Sequence, residues 1–502
     1  MSNLKGKRIL IFQQRGWGRR IGRFLAAKLY SEGCKLAALT FKNTTHELIL
    51  KQADAKYEMI IPNDQIMSRP KDYLNGDVYS LEEICNELGV DSIWPIVSTL
   101  RNHVKCYKDK YYYSFRQNVS DEEIIDFVMA VYKYMRIFFD EFKPDIVIVP
   151  SFVSLPHVMF NLYAKKKNIP IFGITDSKVS GQYVFTYDYN EAAGPLHKRI
   201  EELNSGAETK NREKAKKYIK EFREKFKKPD YMPEVDSSDL SFFKKIKKEL
   251  SPYVQIARWY LHKQINVLES TGITIDYRPP RIILRDHYSH KKYKKNMDNY
   301  NYYPFEKIGK FIYFPLQFQP EATIDVISPR FSNQIETARQ VAMSMPGDYT
   351  LVVKEHPAMV GLRPPSYIEK IARTPNVKFI DYRISSEKVL KKADLIVSPS
   401  GTTIAEASFL NKPVIQLGNL GTTLRLPNVF KHTDMTTLPQ KIKEVLKVDL
   451  QTEEYEGILE NYVVAVFDVT FDFDYMKAWE KGKGDLEKLW IFYKKEIENN
   501  LL

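Results

Sequence analysis

Cysteine is scarce in this chain of 502 residues, which holds Cys34, Cys85 and Cys106 and no others. An odd number without metal-ligand spacing excludes a disulfide scaffold and a cysteine zinc site; thiols kept reduced in the cytoplasm are expected. Long apolar runs are missing too. A membrane-spanning helix takes about 20 apolar residues, and the longest candidate, 146–160, is broken by Pro150, Ser151, Ser154, Pro156 and His157. Met1-Ser2-Asn3-Leu4-Lys5 leads into a strand pattern, not into the apolar core of a signal peptide. A cytoplasmic location is expected, with the inner face of the membrane as its outer limit. No repeat of roughly 20–50 residues is visible. Neither a Gly-x-Gly-x-x-Gly dinucleotide fingerprint nor the Gly-Lys-Ser/Thr of a P-loop occurs.

Apolar material is plentiful: 43% of residues are hydrophobic and 13% aromatic. That supplies sizeable cores and excludes global disorder. The net charge of +13 is unevenly spread. Residues 196–310 carry 27 Lys and Arg against 16 Asp and Glu, so the rest of the chain is nearly neutral. A localised surplus of this kind attracts phosphates, whether of anionic lipid or of nucleic acid. The charge is mixed and no RNA or DNA motif accompanies it, so nucleic acid is not the expected partner.

Arg8–Phe12 is a continuous apolar run, as in a strand buried on both faces, followed by a polar glycine-containing turn and a helical pattern through Ile21, Phe24, Leu25 and Leu29. A second run, Lys35–Phe41, completes a βαβ unit. Similar runs recur at 145–150 and 169–174, with an amphipathic helix near 121–142. A second series begins at Phe311–Pro315 and continues at 349–354, 377–380, 395–398 and 414–417, with helices expected at 332–344, 385–391 and 403–410. The expected fold is α/β: two Rossmann-like domains facing a cleft, at 1–195 and 305–435. Between them, 196–304 reads as a basic helical arm, with charged helices broken around Pro229–Pro233 and a Tyr/Lys/Asn-rich loop over 277–304. Residues 436–502 read as aromatic-rich helices packing across the domains.

Four strand-end segments carry candidate chemistry. Lys354-Glu355-His356-Pro357 ends a strand, where doubly wound sheets bind ligands, and its histidine can donate to a phosphate oxygen. Ser398-Pro399-Ser400-Gly401-Thr402-Thr403 joins a buried strand to a helix; free N–H groups, small hydroxyls and Gly401 make a phosphate cradle, with Glu406 one turn further on to accept from ribose hydroxyls. Gln317 and Glu321, just after another strand, can line the cleft. The turn with Gly16, Gly18 and Arg19 opens the first helix toward an anionic group. Candidate bases are Glu47 beside His46, and Asp176 beside Lys178. His287, His290 and Asp286 lie in a Lys/Tyr-rich stretch that argues against a metal, and none is expected.

Residues 311–420 resemble the bacterial capsule polysaccharide biosynthesis family and related surface-carbohydrate glycosyltransferases of the GT-B type. The resemblance is carried by Pro315 to Glu321, Val353 to Pro357, Ala393-Asp394 through Ser400-Gly401-Thr402, Glu406-Ala407 and Lys412 to Ile415. It implies a glycosyltransferase that uses a nucleotide-sugar as donor substrate, without a further cofactor, and a surface glycan or lipid-linked acceptor. The resemblance does not extend to the basic arm, whose own charge makes anionic inner-leaflet lipid its expected partner. By the same resemblance, which extends to sialyl- and Kdo-transferases, His356, Ser400, Gly401 and Thr402 hold the donor phosphate and Glu406 the ribose. The Asp-Tyr-Ser-Ser turn of teichoic-acid glycerophosphotransferases is replaced here by Ser-Pro-Ser-Gly. UDP-sugar 2-epimerases share the architecture and stand as the alternative enzyme, and a nucleic-acid binder using the arm as the alternative of another class.

Overall fold

The computed structural model describes residues 4–110, 116–226, 242–261, 268–274, 278–470, 473–481 and 484–501. The break expected around Pro229–Pro233 lies outside them. Two six-stranded sheets organise the chain. The first contains β1 (Arg8–Gln14), β2 (Lys35–Phe41), β3 (Tyr57–Pro62), β4 (Ile146–Ile148), β5 (Ile171–Asp176) and β6 (Tyr183–Thr186), in the order β3-β2-β1-β4-β5-β6. The second contains β7 (Phe311–Pro315), β8 (Thr350–Lys354), β9 (Val377–Ile380), β10 (Leu395–Ser398), β11 (Val414–Gln416) and β12 (Val429–Lys431), in the order β12-β11-β10-β7-β8-β9. All pairs are parallel except β5 with β6.

The apolar runs are continuous because helices cover both faces of each sheet. Ile9 to Phe12 and Phe311 to Phe314 are buried throughout. In each sheet the strand order reverses beside its first strand, at β1/β4 and at β7/β10. In doubly wound sheets the loops leaving the two strands at such a point diverge to opposite sides, and the carboxyl ends there are where ligands bind.

Three strands escape the sequence pattern: β3, β6 and β12. Each is a sheet edge with one neighbour; β3 buries only Ile61 and β12 buries none of its three residues, while β6 is a run of only four residues, too short to stand out as a strand. The loop expected over 277–304 is mostly a helix, Pro280–Asp298. It buries little beyond Ile282, Ile283 and Met297, which leaves a polar composition that conceals the helical period. Pro280 opens it at a position that needs no N–H donor.

The first part of the basic segment packs on the second domain. The helices Pro195–Asn204 and Arg212–Lys225 place Leu196, Ile200, Ile219 and Phe222 in one core with Leu459 and Val463 of the helix Glu453–Val469. The last helix, Leu486–Leu501, returns to the first domain, where Leu489, Tyr493 and Ile497 pack with Ile9 and Leu25. Direct contacts join the lobes at the seam. The Gly421 N–H donates to the Asn190 carbonyl at 2.7 Å, and Arg101 meets the buried Asp325 at 3.1 Å. Among the described residues no helix is long and apolar enough to cross a membrane.

Candidate active site

The second sheet's switch point is built by residues from three strand ends. Beyond β10, Gly401 has φ +106°, and a side-chain carbon there would lie 2.6 Å from Gln317 Oε1. Gln317, just past β7, is held in turn: its Nε2 donates to the Pro315 carbonyl and to Ser398 Oγ, both at 3.1 Å. Ser398 donates to the Ser400 carbonyl at 2.8 Å, and Ser400 Oγ donates to the Thr323 carbonyl at 3.1 Å. The helix Thr402–Phe409 starts from this turn without a side-chain cap, since Gly401 has none to give. Thr402 and Thr403 sit half-buried in its first turn. Uncapped N–H groups and the positive end of the helix favour an anion at this place.

Beyond β8, the His356 Nδ1 accepts from the Ala358 N–H at 3.2 Å, which puts the ring proton on Nε2. Burial, and then the charges of Arg363 and Lys354, hold its pKa down to about 4. The imidazole is therefore a neutral N–H donor near pH 7. Its ring stands 5.9 Å from that of Phe318, the residue after Gln317. His356, Gln317 and the Ser400–Gly401 turn thus share the carboxyl edge of three neighbouring strands, β8, β7 and β10. Arg363 locks this edge from below. Fully buried, it pairs with Glu355 at 2.5 Å and donates to the Gln317 carbonyl at 2.6 Å. Burial raises the Glu355 pKa although Arg363 opposes it.

Two other predicted contacts of the second domain face inward. Lys354 Nζ donates to the Ile384 carbonyl at 2.8 Å and to Ser386 Oγ at 3.2 Å, bracing the neighbouring loop. Glu406 is buried close enough to Tyr313 for its charge to add to the effect of burial on that phenol.

At the seam, Asp176 ends β5 and pairs with Lys178 at 3.2 Å. Across it lies Glu321, whose Oε2 accepts from Thr323 Oγ1 at 3.0 Å. Burial raises the Glu321 pKa, and the nearby cations Lys178 and Arg101 pull the other way. Glu191 accepts from Thr175 Oγ1 in its own domain and from Thr422 Oγ1 in the other. The structure therefore brings Asp176 and Glu321 to one junction. It leaves Glu47 exposed on the helix Asn43–Leu50 after β2, and no described residue of the second domain pairs with it.

The N-terminal turn is explained by packing. β1 runs on to Gln14, and the chain then coils at once through 15–22. A side-chain carbon at Gly18 would come within 2.7 Å of the Gln13 backbone. Trp17 Nε1 donates to the Tyr475 hydroxyl at 2.9 Å, and Gly16 lies under the Trp479 carbonyl. Arg19 donates to the Thr44 hydroxyl. Asp286 accepts from Tyr107 and Arg285, while His290 packs against Gly361. Among the described residues no group of three or more metal-ligating side chains forms.

Arg363, Glu191 and Arg101 carried no signal in the sequence, because each reaches a partner on another segment, Gln317, Thr422 and Asp325 in turn; Glu355 was read only as a neighbour of His356, and its pairing with Arg363 was not.

No family model and no curated protein matches the chain. Solved structures with a similar fold include the β-Kdo 2,7 transferase KpsC of Thermosulfurimonas dismutans, at 12% identity and a TM-score of 0.35, covering 81% of this chain and 97% of that one. The UDP-GlcNAc 2-epimerase of Neisseria meningitidis is 14% identical, with a TM-score of 0.23 and coverage of 92% and 98%. The glycotransferase of kitacinnamycin is 11% identical, with a TM-score of 0.26 and coverage of 99% and 100%. Likeness at this level concerns the fold alone, and the two doubly wound sheets of this chain establish an α/β fold with two Rossmann-type domains by themselves.

Proposed function

We propose that the chain is a glycosyltransferase of GT-B architecture that moves a sugar from a nucleotide-sugar donor to a surface polysaccharide or lipid-linked glycan. The supporting observation is the meeting of His356, the Ser400–Gly401 turn and an uncapped helix start on one edge of the second sheet. A departing nucleotide phosphate gains negative charge as the glycosidic bond breaks. Donors already aimed at it stabilise that charge without reorganising. The Nε2–H of His356 and the first-turn N–H groups at Thr402 and Thr403 are such donors, whereas Glu406, buried beside Tyr313, is left out of the ribose contact. The acceptor hydroxyl lies at the seam. There Asp176, held by Lys178, orients it, and Glu321, with its raised pKa, is suited to receive its proton.

The test is a thermal-shift screen of the full chain with UDP, GDP and CMP, followed by incubation with the matching nucleotide-sugars. A nucleotide at 100 times its Kd stabilises the native state by about 2.7 kcal/mol. One nucleotide class is expected to raise the midpoint, and His356→Ala to remove most of that rise. Nucleotide release that depends on added glycan acceptor supports transfer. Interconversion of the donor sugar without acceptor replaces transfer with epimerisation, and no response to any nucleotide overturns the donor site.

A further inference from the structure

We propose that the helix Phe242–Leu261 is a docking surface for a bilayer containing anionic lipid, lying in the plane of the interface with its apolar stripe toward the acyl chains. Ile246, Leu250, Tyr253, Val254, Tyr260 and Leu261 are all exposed, from 40% at Ile246 to 77% at Leu261. Their spacing of 4, 3, 1, 6 and 1 residues places all six within one face of a helix. A stripe of this size on a soluble surface marks an interaction site, whereas single exposed apolar residues do not.

Charge identifies the occupant. Lys247 and Arg258 flank the stripe on its own helix. The partner helix Pro280–Asp298 is tied alongside by a Tyr253–Tyr288 hydroxyl contact at 3.0 Å and by the Lys291–Glu249 pair. On it, Arg281, Lys292 and Lys295 are exposed on the side that carries Tyr288. None of these five cations makes an ion pair among the described residues, whereas Glu249 and Asp286 are both neutralised by cations on the same helix pair. An apolar stripe bordered by uncommitted cations and by tyrosines fits a headgroup region carrying negative charge. The stripe spans roughly 22 Å at 1.5 Å per residue, which suits a helix lying along the surface.

The placement also reaches the candidate active site. His290, on the second helix of the pair, packs against Gly361, where a side-chain carbon would come within 2.7 Å of its ring. Gly361 belongs to the loop that carries His356. The docking surface and the donor edge are therefore joined by one contact, on a protein that would meet a lipid-linked acceptor at the membrane.

The test is co-sedimentation of the full chain, without nucleotide, with vesicles of phosphatidylcholine alone or with about one-third phosphatidylglycerol. Binding to the anionic vesicles is expected to weaken as salt is raised. It should fall by roughly tenfold or more in Leu250→Glu/Val254→Glu and also in Lys292→Glu/Lys295→Glu, each with an unchanged circular dichroism spectrum. The proposal is overturned if the wild type does not pellet, or if the Glu variants pellet equally. It is also overturned if the stripe is found to hold a dimer in sedimentation equilibrium, or if the same cations prefer an oligonucleotide at physiological salt. Vesicle binding is read without donor chemistry, so it stands or falls apart from the glycosyltransferase assignment.

Discussion

Replacing Gly401 with alanine perturbs the candidate active site at a point with no room for a side chain, and the size of the effect can be worked out from two contributions. The backbone at Gly401, with φ +106° and ψ 172°, belongs to a region that only glycine occupies easily; forcing a side chain into it costs about 1–3 kcal/mol. The added carbon also meets Gln317 Oε1 at 2.6 Å. Gln317 is buried and cannot yield without losing its bonds to Pro315 and Ser398, at about 1 kcal/mol each. Gly401→Ala should thus weaken the local structure by about 3–5 kcal/mol. Gly6→Ala is the matched control, because Gly6 has φ +81° but nothing within 4 Å of the new carbon; it should cost only about 1–2 kcal/mol. Hydrogen exchange read by mass spectrometry over 398–409 measures the difference locally, which matters in a chain of two domains where a single unfolding midpoint is poorly defined. Exchange there should rise by roughly 10²–10⁴-fold in Gly401→Ala, and the nucleotide-induced thermal shift should vanish. Adding Gln317→Ala should remove the steric part, leaving a coupling of about 2 kcal/mol between the two positions. If Gly401→Ala exchanges no faster over 398–409 than Gly6→Ala, the turn is not packed as described and the reasoning fails.

Acid should destabilise the fold earlier than carboxylate titration alone would. Burial lowers the pKa of His103 from 6.5 to about 4 and that of His157 from 6.5 to about 3, so the unfolded chain takes up their protons first. Stability is then lost as pH falls from 6.5 toward those folded values, by about 2 kcal/mol per imidazole at pH 5. Thermal midpoints between pH 7.5 and 5 should fall less steeply in His103→Gln/His157→Gln, and an unchanged slope would contradict this. Arg363→Met leaves Glu355 buried without its cation and should cost about 3–5 kcal/mol in urea unfolding of the second domain. Glu355→Gln/Arg363→Met should recover much of that loss, and a double variant as unstable as the single would show that the pair is not what holds the loop.

The strands that build both cores were legible because helices cover both faces of each sheet, and full burial makes every residue of a run such as Ile9 to Phe12 apolar. The same logic hides β12, which is an edge of three residues, and the helix Pro280–Asp298, which buries too little to show a period. At the candidate active site, strand ends followed by small or polar residues pointed to Gln317, His356 and the Ser400–Gly401 turn, since position in a doubly wound sheet follows from chain order. Contacts that close over long separations left no trace. The glycines of the N-terminal turn looked available to a ligand in sequence, whereas Trp17 meets Tyr475, 458 residues away, and the turn is roofed by the end of the chain.

The loop from Glu355 to Arg363 shows how the two kinds of information combine. Its start was readable, because a His-Pro pair beyond a buried strand fixes where an imidazole must emerge. Its rigidity was not, because that comes from Arg363 reaching back under Gln317 and from His290 pressing on Gly361. Clamped beneath by a buried ion pair and above by a helix of the exposed basic pair, the loop has little freedom to move His356 independently of either. A ligand on the switch-point edge and a surface under the apolar helix would therefore both act on the same few residues. That is the physical reason to expect the placement of the basic helices to matter to the chemistry, rather than only to where the protein sits.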